Sequence, residues 1–243
     1  MKILHQSPAL KDSFLAQVSQ KKAENRQATE EALGGGFLGA IGAAMFEFKQ
    51  VTNQFKGSVG EWGISLLLKS LPDTWVMFNN AVIPTMRSGR FTEIDHLIIG
   101  PGGIFLIEVK TWKGSFSAYK DNWKRREGND WVALSNSPSS QSAYHQKMFQ
   151  QWINAVVPNL PNNCIIAPVV FPVAKWLGTN QCSVPVLHGA TALLQMIGES
   201  PNSLESSQVL AIAQAVENLS LPLPTEPSPA PILKKPKPSK PQN

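Results

Sequence analysis

Little in this sequence invites a disulfide, a membrane anchor or one of the common hydrolase motifs. Its two cysteines, Cys164 and Cys182, provide neither a disulfide framework nor a metal-binding spacing. They suit a reduced, cytoplasmic setting. Residues Met1 to Gln6 lack the apolar core of a signal peptide. No run reaches the roughly 18 to 20 apolar residues that span a bilayer. The nearest, Leu33 to Phe46, is too short and is interrupted by five glycines. No Ser-His-Asp elbow, phosphate-binding loop, zinc cluster or internal repeat is present.

Charge of one sign is also scarce. The chain of 243 residues carries a formal net charge of +5. The stretch Pro224 to Asn243 holds four lysines against Glu226, so +3 sits there and only +2 is left for the rest. Bulk charge is therefore weak evidence for a nucleic-acid partner, and basic charge that counts is local. At 42% hydrophobic and 16% charged, the remainder has enough apolar material for one domain with accessory segments.

Patterning divides the chain into three parts. Residues 1–50 comprise a polar, exposed helix over 8–32 and the Gly-rich segment from Leu33. Gly34-x-Gly36-x-x-Gly39 formally matches a dinucleotide fingerprint, but a polar helix stands where a strand is needed to aim the turn. A close-packed Gly/Ala helix, touching a second copy or a membrane surface, is the alternative. Residues 51–222 alternate helices and strands, giving an α/β (α+β) mixed sheet flanked by helices. Residues 223–243 are rich in Pro and Lys and read as a disordered, extended tail.

Within the central part, a helix is expected over 58–70, where Phe55, Val59, Trp62 and Leu66 keep the 3.6-residue period. Strands follow at 75–83, 91–99, 104–111 and 114–119. Residues 120–136 form a basic loop or hairpin. Ser137 and Pro138 open a helix that runs to about 157. Residues 164–171 are continuously apolar, as in a strand buried on both faces. A short strand at 184–187, a helix near 190–197 and a last helix capped by Asn202 and Glu205 complete the domain.

The stretch from Glu93 to Lys110 is the informative one. With a turn centred between Pro101 and Gly102, Asp95 lies opposite Glu108 and Glu93 opposite Lys110. Strand alternation then sets Glu93, Asp95, Glu108 and Lys110 on one face. Opposed side chains sit about 5 Å apart at Cβ, and two carboxylates that close repel unless a cation or proton lies between them. Two readings stand. Either these are ordinary cross-strand ion pairs, or the pair of acids holds a hard divalent ion such as Mg²⁺ beside an amine. Metal, paired acids and an amine together suit phosphodiester hydrolysis.

This pattern resembles the nuclease-related domain family, a branch of the PD-(D/E)xK restriction-endonuclease-like superfamily. The resemblance rests on Gly57-x-x-Gly60-Glu61, on Ile94 to Ile99, on Gly103 to Lys110 and on Gly114, Trp123 and Pro138-x-x-Gln141-x-x-x-His145, and spans about 56–155. It implies a restriction-endonuclease-like core and a Mg²⁺- or Mn²⁺-dependent nuclease site. Asp95 and Glu108 are then metal ligands, joined by the Val109 backbone carbonyl, and Lys110 is the catalytic amine. It also brings in Glu61 and Gln141. Ser58 and Glu61 equally fit a capping box, and Gln141 falls in a helical first turn where a polar residue is unremarkable. His96 points away from Asp95, and His145 lies one turn beyond Gln141, placed to position it.

Lys120, Trp123, Lys124, Arg125 and Arg126 are the expected nucleic-acid contacts, four cations for a phosphate backbone and a ring for a base. A solvated loop is the plain alternative. The function expected is divalent-metal-dependent nuclease action, in DNA. The alternatives are an inactive nucleic-acid-binding module of the same fold and an interaction or membrane-surface adaptor working through residues 33–46.

Overall fold

A computed structural model describes residues 1–32, 63–86 and 89–220. Glu61, Ser58, the Gly-rich segment 33–46 and the Pro/Lys tail lie outside the described residues. The strands are β1 (Lys2–Ile3), β2 (Val76–Pro84), β3 (Phe91–Gly100), β4 (Gly103–Val109), β5 (Ser115–Tyr119), β6 (Asn122–Glu127), β7 (Asp130–Ala133), β8 (Ile165–Ile166), β9 (Val169–Phe171), β10 (Trp176–Asn180) and β11 (Val186–His188). The helices are α1 (Pro8–Ala32), α2 (described over 63–68), α3 (Pro138–Val156), α4 (Ala190–Glu199) and α5 (Ser206–Glu217).

The main sheet has the order β1-β2-β3-β4-β9-β11, with β8 also pairing β4. It is mixed: β3 runs antiparallel to both β2 and β4, whereas β8 and β9 lie parallel to β4 and β11 parallel to β9. Every residue of β4 is buried, as expected of a central strand covered on both faces. Its alternation separates two cores. Ile104 and Leu106 join a cluster with Phe149 and Ile153 of α3 and Ile212 of α5. Phe105 and Ile107 join another with Ile64 and Leu68 of α2 and Leu193 and Ile197 of α4. The fold is thus a mixed α/β sheet flanked by helices.

Turn chemistry fixes the register of the β3–β4 hairpin. Gly100 pairs with Gly103 and His96 with Ile107, which is the register expected from a turn at Pro101 and Gly102. Gly103 takes φ +127, and a Cβ there would lie 2.7 Å from the Cys164 carbonyl oxygen. Gly100 lies under the Trp75 ring, 2.2 Å from where its Cβ would stand. No side chain fits at either end of this turn.

The expected strand over 164–171 is two strands. Pro168 has no N–H for the ladder, so β8 and β9 are separated there, while its carbonyl still accepts from Glu108 N at 3.0 Å. The last helix is capped by Glu205, not Asn202. Glu205 accepts from the Gln208 backbone, and Gln208 Oε1 accepts from Glu205 N at 3.0 Å. The 120–136 region is a hairpin, β6–β7, in a second sheet of order β10-β5-β6-β7. Strand β10 had no counterpart in the sequence reading. Among the described residues, no helix is long and apolar enough to cross a membrane.

Candidate active site

The site forms where β4 leaves its antiparallel partner and stays with its parallel one. Glu108 N and Lys110 N donate to the Pro168 and Val170 carbonyls at 3.0 and 2.8 Å, tying the end of β4 to β9. Strand geometry then aims the N–H and the carbonyl of Val109 the other way, towards β3. The β3–β4 ladder stops at His96 and Ile107. Beyond it, the Asp95 side chain takes over: its Oδ2 accepts from Val109 N at 2.7 Å. Asp95, Glu108 and the Val109 carbonyl are thereby brought to one end of the sheet.

Glu108 is buried, with 4% of its surface exposed. Its Oε1 accepts from Lys110 Nζ at 2.5 Å, and the same ammonium reaches Gln141 Oε1 at 3.2 Å. Among the described residues Glu108 Oε2 has no hydrogen-bond donor, and His145 Nδ1 stands 3.6 Å from it. A carboxylate in so dry a place costs free energy unless both oxygens are satisfied. One lysine satisfies one oxygen; the other, buried beside His145, keeps an unused lone pair among the described residues. That is the observation by which a hard cation fits here, since carboxylate and carbonyl oxygens are the ligands such ions take. Among the described residues no group of three or more His, Cys, Asp and Glu side chains comes close enough to hold a metal, so the candidate donors are the two carboxylates and the backbone oxygen.

His145 faces Glu108 across the helix-sheet interface, and its Nε2 lies 3.1 Å from Thr92 Oγ1. Burial holds its imidazole below the usual histidine range, against the opposing pull of Glu108 and with help from Lys110. The ring is thereby biased towards its neutral form. His145 is thus set against Glu108 and Thr92, one helical turn beyond Gln141. His96 is turned away, its Nδ1 2.7 Å from Asn79 Oδ1.

Trp123 needs the larger correction. It is 2% exposed, stacks on Phe171 at 5.2 Å between ring centroids and donates from Nε1 to Ser139 Oγ at 2.9 Å. The ring belongs to the core and is closed to a base. Alternation of the short β6 carries the signal that would have shown this, since Trp123 is the sole apolar residue in Asn122 to Glu127. Its hydrogen bond anchors the small sheet to the first turn of α3, next to Gln141. Replacing Trp123 by Phe is expected to remove about 1–2 kcal/mol of stability by leaving Ser139 without its donor. Urea denaturation measures that loss, and nucleic-acid affinity should not move.

The four cations divide. Lys124 and Arg126 stand on the outer face of β6, and Arg126 Nε donates to the Gly128 carbonyl at 3.2 Å. Arg125 points the other way and pairs with Glu127. Lys120 lies in the β5–β6 turn, its ammonium 5.3 Å from the centre of the Tyr119 ring.

Residues 56–172 match the nuclease-related domain, a range containing every candidate residue above. A probable kinase of Streptomyces coelicolor, PglW, is 32% identical over 63 residues, 25% of this chain and 4% of that protein. An uncharacterized protein of Bacillus anthracis is 25% identical over 129 residues, 44% of this chain and 60% of that protein. The chain thus spans less than two thirds of either relative. No solved structure matches it.

Proposed function

Residues 56–172 belong to the nuclease-related domain family, and from that premise we propose that the chain is a divalent-metal-dependent nuclease that hydrolyses phosphodiester bonds, in DNA. The observation that carries this reading is the buried Glu108, with one oxygen on the Lys110 ammonium at 2.5 Å and the other without a donor among the described residues. Asp95, Glu108 and the Val109 carbonyl would hold Mg²⁺ or Mn²⁺. When bound there, the ion supplies Lewis-acid stabilisation of phosphate charge and a more acidic water. Lys110 is restrained at two points, by Glu108 and Gln141, so its remaining N–H donor is pre-aimed at charge building on a phosphate oxygen. Gln141 positions that amine. Asp95 is itself positioned by the Val109 N–H. Glu61 is proposed as a further acid of the same site.

The test begins with protein stripped by EDTA and offered supercoiled plasmid, linear duplex, single-stranded DNA and RNA. Cleavage is expected only after Mg²⁺ or Mn²⁺ is restored. Binding of the ion to the folded state should also raise stability, by about 1.4 kcal/mol at ten times its dissociation constant. That gain should be absent in Glu108→Gln. No cleavage and no metal-dependent stabilisation would overturn the proposal. Metal-independent, salt-sensitive binding without turnover would instead favour a nucleic-acid-binding module of the same fold.

A further inference from the structure

The outer face of the small sheet carries chemistry that the metal site does not use. Phe116, Ala118 and Trp123 face the core, so alternation turns Ser115, Ser117 and Tyr119 of β5 and Asn122, Lys124 and Arg126 of β6 outward. Register extends this face to both edge strands. Trp176 of β10 pairs with Ser115, and Trp131 of β7 pairs with Arg126. Ser115 and Arg126 are in line, because Phe116 pairs with Arg125 and the antiparallel register continues. One row across the sheet therefore reads Trp176, Ser115, Arg126, Trp131. The next holds Lys124.

The two tryptophans start on strands three apart, about 14 Å at the usual strand spacing, yet their ring centroids are 5.8 Å apart. Both side chains lean inward over the sheet. The Trp176 ring lies over Gly178, where a Cβ would come within 2.1 Å of it. Even so, Trp176 is 49% exposed, Trp131 37% and Tyr119 53%. Large rings held against a sheet with this much surface open are unusual for a region whose only task is packing. On the outward-facing positions of the strands the charge has one sign, while Asp121, beside Lys120 in the turn, is engaged by Ser183 N. Lys124 and Arg126 alternate along β6, Lys120 sits beside Tyr119, and among the described residues no acid occupies this face of the four strands.

We propose that this face, Trp131, Trp176 and Tyr119 with Lys124, Arg126 and Lys120, binds single-stranded nucleic acid, the rings stacking on bases and the cations holding the backbone. Rings of this kind stack only on bases that are free of a duplex, and stacking tolerates any sequence. The positive charge selects a polyanion over an apolar protein surface. This rests on the reading above that the chain acts on nucleic acid, and it narrows the substrate to single-stranded segments. It also replaces the buried Trp123 and the Glu127-paired Arg125 in the set expected from sequence.

Binding by the full chain, in EDTA so that nothing is cut, tests this with labelled 20-mers of dT and of rU and with a 20-base-pair duplex, read by fluorescence anisotropy. Single strands should bind at least tenfold more tightly than duplex, and whichever of dT and rU binds better identifies DNA or RNA as the target. Trp131→Ala with Trp176→Ala should weaken single-strand binding at least tenfold and reduce the gap to abasic oligonucleotide. Lys124→Ala with Arg126→Ala, exposed positions whose loss leaves the fold intact, should weaken binding and lower the salt slope by about 1.4. Either double variant binding as wild type, or duplex binding more tightly than single strands, would overturn the proposal. Wild-type binding without metal-dependent cleavage would sink the nuclease reading and leave this one standing. Cleavage with unaltered rate and affinity in the tryptophan variant would do the reverse.

Discussion

Lys110→Ala is expected to cut nucleic acid about 10²- to 10³-fold more slowly than wild type, the usual loss when one pre-aimed donor to developing charge is removed. The same change should also destabilise the fold, and the reason is Glu108. With side-chain exposures of 17% for Lys110 and 5% for Glu108, the pair is mostly shielded from water. Deleting the ammonium leaves a buried carboxylate with neither oxygen satisfied, at a cost of about 1–3 kcal/mol. Rate and stability therefore fall together, and a single variant does not tell chemistry from unfolding. Lys110→Met combined with Glu108→Gln separates them. That double variant removes both charges, should recover most of the lost stability, and should stay inactive. Single-turnover cleavage in Mg²⁺ and urea denaturation measure the two quantities. An unchanged rate in folded Lys110→Ala would remove Lys110 from the chemistry. Unchanged stability would show that the pair contributes nothing to the fold.

The hairpin was legible in the sequence because its register is set locally. Pro101 and Gly102 fix the turn, period-two burial fixes the faces, and the observed pairing of His96 with Ile107 follows from both. What was not legible depends on where a neighbouring strand ends. The ladder between β3 and β4 stops one residue short of Asp95, so its carboxylate meets the Val109 N–H, a contact no alternation rule contains. The contact of His145 with Glu108 was hidden for a related reason. Helical spacing relates it to Gln141, but the sheet packed beneath α3 decides that it faces Glu108. The apolar run ending at Phe171 hid a break because hydrophobicity is blind to a missing N–H, whereas Pro168 itself was visible. Trp123 was drawn to the surface by its basic neighbours. Its alternation with Asn122 and Lys124 already placed it inward, and the aromatic residues that are exposed, Trp131 and Trp176, come together only through strand pairing distant in sequence.

Asp95 offers the second large effect, and here the substitution chosen decides what is learned. Its Oδ2 accepts from Val109 N at 2.7 Å, and under the proposed function its carboxylate would also supply negative charge to the bound cation. Asp95→Asn keeps an acceptor oxygen for Val109 and discards the charge. It should fold with stability within about 1 kcal/mol of wild type, yet cut at least about 10²-fold more slowly, because a hard ion binds a neutral amide oxygen far less well than a carboxylate. Raising Mg²⁺ should recover part of that rate, since the defect is one of metal affinity. Asp95→Ala discards both. Val109 is 6% exposed, so water is a poor substitute acceptor for its N–H, and about 1–3 kcal/mol of stability should go as well. If Asp95→Asn cut as fast as wild type at every Mg²⁺ concentration, Asp95 would be a strand-end cap and not a ligand. If it cut slowly with no response to Mg²⁺, its charge would act on substrate or on Lys110. Only a rate that Mg²⁺ restores assigns the carboxylate to the metal, because mass action repairs a weakened ligand and nothing else in this site.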